Sequence, residues 1–299
     1  MTQSTNKRKI KIAHSPDSDD AFMFYAMSSG KFPDSAFDYH FGSAEIEALN
    51  QMAMQKHTDS LYDVFAISFH AYAYLQDRFQ ILRSGASMGS ATHGPRLVGY
   101  DNVYKEYITN KNIESMRIAI PGKLTSAYLV LQIIAKEMQC EFTPQFCSFN
   151  DVFTLLEEGE VNAALLIHES QLKFQEKGFK QLINLGSWWA EFSGGLNMPL
   201  GTNVIRRDFD LTLREALAAE LKASIEFGIK NFTETLTYAK QFSQNGLDKE
   251  RAKEYIDMYV NDSTLSLSED DIASIKLLFD TAKKHSLIST TEDVNLDPL

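Results

Sequence analysis

Residues 117–135 read RIAIPGKLTSAYLVLQIIA, and this stretch decides the fold class. Arg117 to Ile120 is a short apolar run of strand length, closed by Pro121-Gly122, which punctuates a turn. Thr125 and Ser126 then stand before an apolar segment running to Met138, where a hydroxyl at the first helical position satisfies backbone N–H groups the helix leaves open. The unit is a strand, a turn and a helix.

The unit recurs on both sides. Ile10 to Ala13 reads as a buried strand, His14-Ser15-Pro16-Asp17 as a turn, and Asp19 to Ser28 as a helix with acidic residues at its start. Val64 to Ser68 runs into a helix over Phe69 to Gln76, and Ala163 to Ile167 runs into a polar loop. Strands alternating with helices define an α/β chain. After Arg207 the pattern becomes helical, with helices predicted over Leu211–Ile229, Glu234–Ser243, Asp248–Val260 and Glu269–His285; Ser268 and Asp271 frame the last as a capping box. The charges of Asp248 to Glu254 read as a solvated helix face with internal ion pairs.

Two stretches have the composition of crossings between lobes. Arg83 to Pro95 (RSGASMGSATHGP) is rich in small residues, and Pro199 to Val204 is the second. They divide the chain into one lobe of residues 1–98 and 199–299 and an inserted lobe of 99–198, the layout of a hinged solute-binding architecture with its ligand cleft between the lobes. In such folds, polar residues at the carboxyl ends of strands face the ligand.

Bulk properties narrow the partner. A chain of 299 residues has room for two cores, and its formal charge of -11 speaks against a nucleic-acid or anionic-membrane surface. A small molecule is the expected ligand. Met1 to Lys11 carries positive charge but meets no hydrophobic region or cleavage site of an export signal, and no apolar run reaches bilayer length, so the expected location is the cytoplasm. Cys140 and Cys147 have neither the number nor the spacing of a disulfide framework or zinc site.

Four places are candidates for chemistry. His168 follows the apolar strand Ala163–Ile167, where an imidazole with a pKa near neutrality is suited to accept a proton; a hydrogen-bonded structural histidine is the plain alternative. Thr125 and Ser126 are suited to hold a carboxylate at a helix start, or simply to cap the helix. Ser68, ending its strand, has a binding role or a capping one. No Gly-x-Ser-x-Gly elbow and no Walker loop is present. The turn Asp17-Ser18-Asp19-Asp20 has alternating carboxylates but lacks the glycine and distal glutamate of a calcium loop, and acids at a helix start are favoured by the helix dipole alone. No metal is expected there. His14 beside the turn is a possible polar group of the cleft or a structural one. Trp188 and Trp189, with Phe192, are expected in packing rather than as a ligand wall.

Several ordered strings together carry a family resemblance: His14-Ser15-Pro16 to Phe24-Tyr25-Ala26, Ile67-Ser68 to Ala71-Tyr72-Ala73, Pro121-Gly122 with Thr125-Ser126-Ala127-Tyr128, and Ile167-His168-Glu169-Ser170. Leu185-Gly186 with Trp188-Trp189, Pro199-Leu200-Gly201, Tyr259-Val260-Asn261 and Ser266-Leu267 extend it over nearly the whole chain. The set resembles the 1,4-dihydroxy-6-naphthoate synthases of the futalosine route to menaquinone. The resemblance implies a two-lobed, periplasmic-binding-protein-like (type II) α/β fold and a lyase without cofactor or metal. It also implies release of 1,4-dihydroxy-6-naphthoate from cyclic dehypoxanthine futalosine, a carboxylate-bearing substrate. The family's proton acceptor falls on His168, and its ligand contacts fall on Ala66, Ile67 and Ser68 and on Ser126 and Ala127.

The chain departs from the family pattern at three points. Ser15-Pro16-Asp17-Ser18-Asp19-Asp20 stands where many members have Ser-Pro-Cys-Pro-Asn-Asp, Ala66 where a lysine occurs, and Leu124 where some have histidine. Only the Ala66 backbone is left to meet a substrate. A chorismate dehydratase of the same fold and a non-catalytic small-molecule binder are the competing readings; the His-Glu-Ser and Trp-Trp strings favour the synthase.

Overall fold

The computed structural model describes residues 7–55, 62–242, 248–290 and 293–299. Its eleven strands are β1 (Arg8–His14), β2 (Phe37–Ser43), β3 (Val64–Ser68), β4 (Phe79–Ile81), β5 (Ser87–Gly89), β6 (Arg96–Gly99), β7 (Arg117–Ile120), β8 (Thr143–Phe146), β9 (Ala163–Leu166), β10 (Lys180–Asn184) and β11 (Met198–Arg206). They form two sheets. One has the order β2-β1-β3-β11-β4 with β5 also on β11, and the other the order β10-β6-β9-β7-β8.

The apolar runs take the central places. Every residue of β3 and of β9 is buried, as strands covered on both faces require. β3 lies parallel to β1 and antiparallel to β11, with Ser68 opposite Gly201. β9 lies parallel to β7 and antiparallel to β6, with Leu166 opposite Arg96. Both strands therefore deliver a polar residue at or just beyond their carboxyl ends, Ser68 and His168, to the region where the sheets meet. The chain passes from β5 in the first sheet to β6 in the second through residues 90–95 and returns in β11.

The C-terminal helices secure this frame. Helix Leu211–Lys230 buries Leu213, Leu217, Leu221 and Ile225, a stripe at helical spacing that packs on Ile10, Ile12, Val64 and Ile205. Helix Glu269–Lys284 begins with the anticipated capping box of Ser268 and Asp271, and its Ser274 receives the indole N–H of buried Trp189 at 2.9 Å. Trp189 is thus a core residue, while Trp188 stacks on Phe192. On the charged helix Lys249–Tyr259, Lys253 pairs with Asp257 one turn on, whereas Arg251 pairs with Glu176 outside the helix.

The structure also amends the outline. The predicted helix over Asp19–Ser28 is two pieces, Ser18–Met23 and Tyr25–Ser28, divided at Phe24, and the helix from Phe69 ends at Tyr72 before a series of turns. The polar loop after β9 is a 3-10 turn, His168–Leu172. The helix predicted over Glu234–Ser243 spans Phe232–Ala239 and continues as a 3-10 turn to Phe242; Ser243 lies outside the described residues.

Candidate active site

A cleft opens between the sheets, and the seven residues read from the sequence as base or ligand contacts, Ala66, Ile67, Ser68, Thr125, Ser126, Ala127 and His168, line it. Each is placed by a different local device.

Ser68 ends β3 and is held by Asn50, a fully buried residue of helix Ile46–Met54. The Asn50 carbonyl oxygen accepts the Ser68 N–H at 2.9 Å, and its amide donates to the Ser68 hydroxyl at 3.0 Å. Thr125 is the N-cap of helix Ser126–Glu137: its hydroxyl accepts the Tyr128 N–H at 3.2 Å and donates to the Gly122 carbonyl at 3.0 Å. The Ser126 hydroxyl donates to the Leu200 carbonyl at 2.5 Å and accepts the His70 N–H at 3.2 Å, so it ties this helix to the first sheet. The hydroxyls thus serve the protein itself, while the N–H groups of Ser126 and Ala127 belong to a first helical turn, which offers them no intrahelical acceptor.

His168 stands one residue beyond β9, after Ile167, with φ 57°, in the left-handed region that a side chain normally avoids. That backbone turns its ring away from the strand direction and into the seam. Nδ1 lies 2.7 Å from Asp17 Oδ2, and the ring meets the edge of Phe149 at 5.4 Å. Asp17 is 2% exposed and also accepts the Ser15 hydroxyl at 2.8 Å. Burial works against a charged imidazole, but the charge and hydrogen bond of Asp17 outweigh it and raise the His168 pKa to about 9. Burial likewise pushes the Asp17 carboxyl up, and His168 more than reverses this, so it ends below the usual carboxylate range. The two form an ion pair. A resting imidazole near neutrality, as read from the sequence, is therefore corrected: His168 holds its proton well above neutral pH in this site.

The pair joins elements of different sheets, since Asp17 follows β1 and His168 follows β9. A second bond runs beside it, from the Ser18 hydroxyl to Glu169 Oε1 at 2.8 Å. The acidic turn is accordingly part of the site, where sequence reading had assigned it no role. Asp19, Asp20 and Ser15 line the cleft with Gln171, Tyr255 and Tyr259. The last two lie four residues apart on one helix face, and the Tyr259 hydroxyl exchanges hydrogen bonds with the Gln171 amide. His14 does not reach the cleft; its ring stacks on Phe24 at 5.3 Å and its Nδ1 meets the Ser15 carbonyl at 2.7 Å. Among the described residues no group of three or more His, Cys, Asp or Glu side chains is arranged to hold a metal ion.

Comparison with known proteins identifies the fold and the family. Two solute-binding proteins share the architecture at low identity: the periplasmic aliphatic sulphonate binding protein of Escherichia coli (11% identity, TM-score 0.64, covering 97% of this chain and 91% of that one) and the alkanesulfonate-binding protein of Xanthomonas axonopodis pv. citri (14%, 0.71, 96% and 96%). These establish a periplasmic-binding-protein-like fold. A crystal structure of an Archaeoglobus fulgidus protein is 38% identical, with a TM-score of 0.83 over 96% of this chain and 100% of that one. The 1,4-dihydroxy-6-naphthoate synthase of Thermus thermophilus is 30% identical over 93% of this chain and 95% of its own length, and that of Streptomyces coelicolor 27% over 93% and 94%. The sequence profile of a family described as menaquinone biosynthesis matches residues 10–284. With a fold and a sequence shared over almost its whole length, the chain belongs to the menaquinone biosynthesis family.

Proposed function

We propose that this protein is a 1,4-dihydroxy-6-naphthoate synthase that acts on cyclic dehypoxanthine futalosine, with His168 as proton acceptor. The observation that carries the proposal is the pairing of buried Asp17 with His168 at the edge of the cleft. Asp17 keeps a proton on Nδ1 and so leaves Nε2 as the acceptor once the ring is neutral, the second nitrogen's role being set by the bond the first one makes. A base whose conjugate acid is this stable has a strong pull on a carbon-bound proton.

In the reaction, the bond to hydrogen at the carbon beside the substrate ketone breaks, its proton passes to His168, and its electron pair forms the enolate. The ring then becomes aromatic as the bond to the ribose-derived fragment breaks. That fragment departs with the bonding pair and takes the proton back from His168, which ends as it began. Ala66 to Ser68 and Thr125 to Ala127 supply the binding contacts, with the backbone N–H groups of Ser126 and Ala127 suited to the substrate carboxylate.

Asp17 and His168 come from different lobes, one built on each sheet. Their approach would assemble the base and exclude water in one motion. We place the reaction in the cytoplasm; among the described residues no helix is long and apolar enough to cross a membrane.

The test is incubation of purified protein with cyclic dehypoxanthine futalosine, followed by chromatography and mass spectrometry beside His168→Ala. Naphthoate from the wild type and not from the variant is the expected result. Ligand recovered unchanged from well-folded wild type, or dehydration of chorismate instead, would replace this function with that of a binder or a dehydratase.

A further inference from the structure

Three carboxylates gather at the start of the first helix, and two of them are engaged outside it. Asp17 faces His168, and Asp20 Oδ2 accepts the Ser15 backbone N–H at 2.7 Å. Asp19 lines the cleft at 7% exposure, and among the described residues its buried Oδ1, like that of Asp17, has no hydrogen-bond partner. A bond from the Asp20 backbone N–H favours its ionised form, and among those residues no side chain outside the turn is bonded to it as His168 is to Asp17.

The groups around Asp19 give it little reason to ionise. Asp17 and Asp20 flank it on its own turn, Tyr255 and Tyr259 face it from helix Lys249–Tyr259, and the cation that acts on it, His168, is already committed to Asp17. A buried carboxylate without a cation or a set of donors takes up a proton rather than bear the cost of desolvation. In line with this geometry, burial first, and then repulsion from Asp20 and Asp17, push the Asp19 carboxyl well above the usual carboxylate range, against the pull of His168. Tyr255 responds in the same sense, its phenol raised by burial and then by Asp19 and Asp17.

We propose that Asp19 is a second catalytic residue, a neutral carboxylic acid that donates its O–H to the substrate carbonyl oxygen on which charge builds as His168 takes the adjacent proton. The proposal rests on the synthase reading above. The acceptor is identified by position: the hydrogen to be removed and the carbonyl oxygen belong to neighbouring carbons, so their partners in the protein must share one cleft, as Asp19 and His168 do, with Asp17 of the same turn in contact with His168. The substrate carboxylate fits less well, because in a 1,4-dihydroxy-6-naphthoate it belongs to the other ring. Asp19 keeps its proton throughout; the hydrogen bond strengthens as the enolate oxygen forms, and no further co-reactant is needed. A preorganised donor aimed at developing charge is among the largest contributions a site can make, and a neutral aspartic acid has served this purpose in ketosteroid isomerase.

Two measurements test the proposal. In steady-state kinetics with cyclic dehypoxanthine futalosine, Asp19→Leu, which lacks a donor, should lower kcat by about 10²–10³-fold with KM little changed, the loss usual for one such donor. Asp19→Asn, neutral and still a donor, should recover most of that loss. In infrared difference spectra of the whole protein at pH 7, the stretch of a protonated carboxyl should be present in the wild type and missing in Asp19→Asn. Near-wild-type kcat in Asp19→Leu, equal damage in both variants, or no protonated carboxyl assignable to Asp19 would each overturn the role. If wild type forms no naphthoate, the synthase reading fails and the oxyanion role falls with it, while the infrared result still reports whether Asp19 is neutral.

Discussion

His168 Nδ1 and Asp17 Oδ2 stand 2.7 Å apart across the seam between two sheets, and neither group keeps its ordinary acidity. The pair is an Asp–His couple in which the acid fixes the tautomer and the ring does the work. Its cost is that the ring must lose a proton held with a pKa of about 9 before it can accept another.

The pH dependence of kcat/KM should show that requirement. In the wild type the activity rises with pH along an acidic limb that levels near pH 9. Asp17→Asn removes the charge that raises His168 and leaves the burial that lowers it, so the limb should move down toward the ordinary histidine range. Maximal kcat should fall by roughly 10²–10⁴-fold, because the neutral ring is then a weaker and less well oriented base. An unchanged limb in Asp17→Asn would separate this pair from the rate.

The backbone of His168 makes a second prediction. At φ 57° any side chain meets its own carbonyl, at a cost of about 1–2 kcal/mol that glycine avoids. His168→Ala and His168→Gly should both lose about 10²–10⁴-fold in kcat, the usual share of a general base. The glycine variant should nevertheless be the more stable in urea, by about 1 kcal/mol. Equal stabilities would mean that the turn after β9 relaxes when the imidazole is removed. The strain then belongs to the ring's position, held by Asp17 and Phe149, rather than to the turn.

Asn50 is the support on which the Ser68 side of the cleft rests. It answers both the N–H and the hydroxyl of Ser68 from a fully buried position. Asn50→Leu leaves that N–H buried and unanswered, which should cost about 1–3 kcal/mol of stability. KM should rise as the end of β3 shifts. Ser68→Ala removes only the hydroxyl, so denaturation curves should show a smaller loss than for Asn50→Leu, with the backbone bond preserved.

What the sequence disclosed follows from how local each signal is. β3, β7 and β9 are apolar runs that read as strands wherever they sit, and Thr125 and Ser268 announce their helices by capping chemistry that involves only residues three positions on. β8 gave no such signal: its residues TPQF are half-exposed on a sheet edge, where Pro144 is tolerated because one side of the strand needs no donor. The helix of Asn50 was missed although its residue 50 shapes the site. At the site itself, His168 was visible because a polar residue ends an apolar strand. Asp17 was not, because what gives it a role is a contact spanning about half the chain. A carboxylate at a helix start looks the same in sequence whether the helix dipole or an imidazole holds it. The chain's departure from the family string at positions 17–19 was the available sign, and it marked the turn without naming the partner.

Asp19 also ties catalysis to stability, with a sign that can be worked out. Its pKa in the folded protein lies above the value in the unfolded chain, so over the pH range between the two the unfolded chain has released a proton that the native protein still binds. Stability therefore falls as pH rises through that range. Asparagine has no proton to hold, so Asp19→Asn should be more stable than wild type, with a difference in Tm that is small near pH 4 and grows toward pH 8. His168 adds a separate decline with the same sign. Its folded pKa is raised to about 9, so the stability it gains from Asp17 is complete below the unfolded value of 6.5 and is lost as pH passes through 9. Asp19→Asn should keep this later decline and lose only the earlier one, whereas Asp17→Asn should lose the later one. Melting curves of the three proteins from pH 4 to pH 10 separate the two contributions. A wild-type Tm that rises from pH 5 to pH 8 relative to Asp19→Asn would mean that Asp19 is ionised in the folded protein, a state in which it has no proton to offer the substrate.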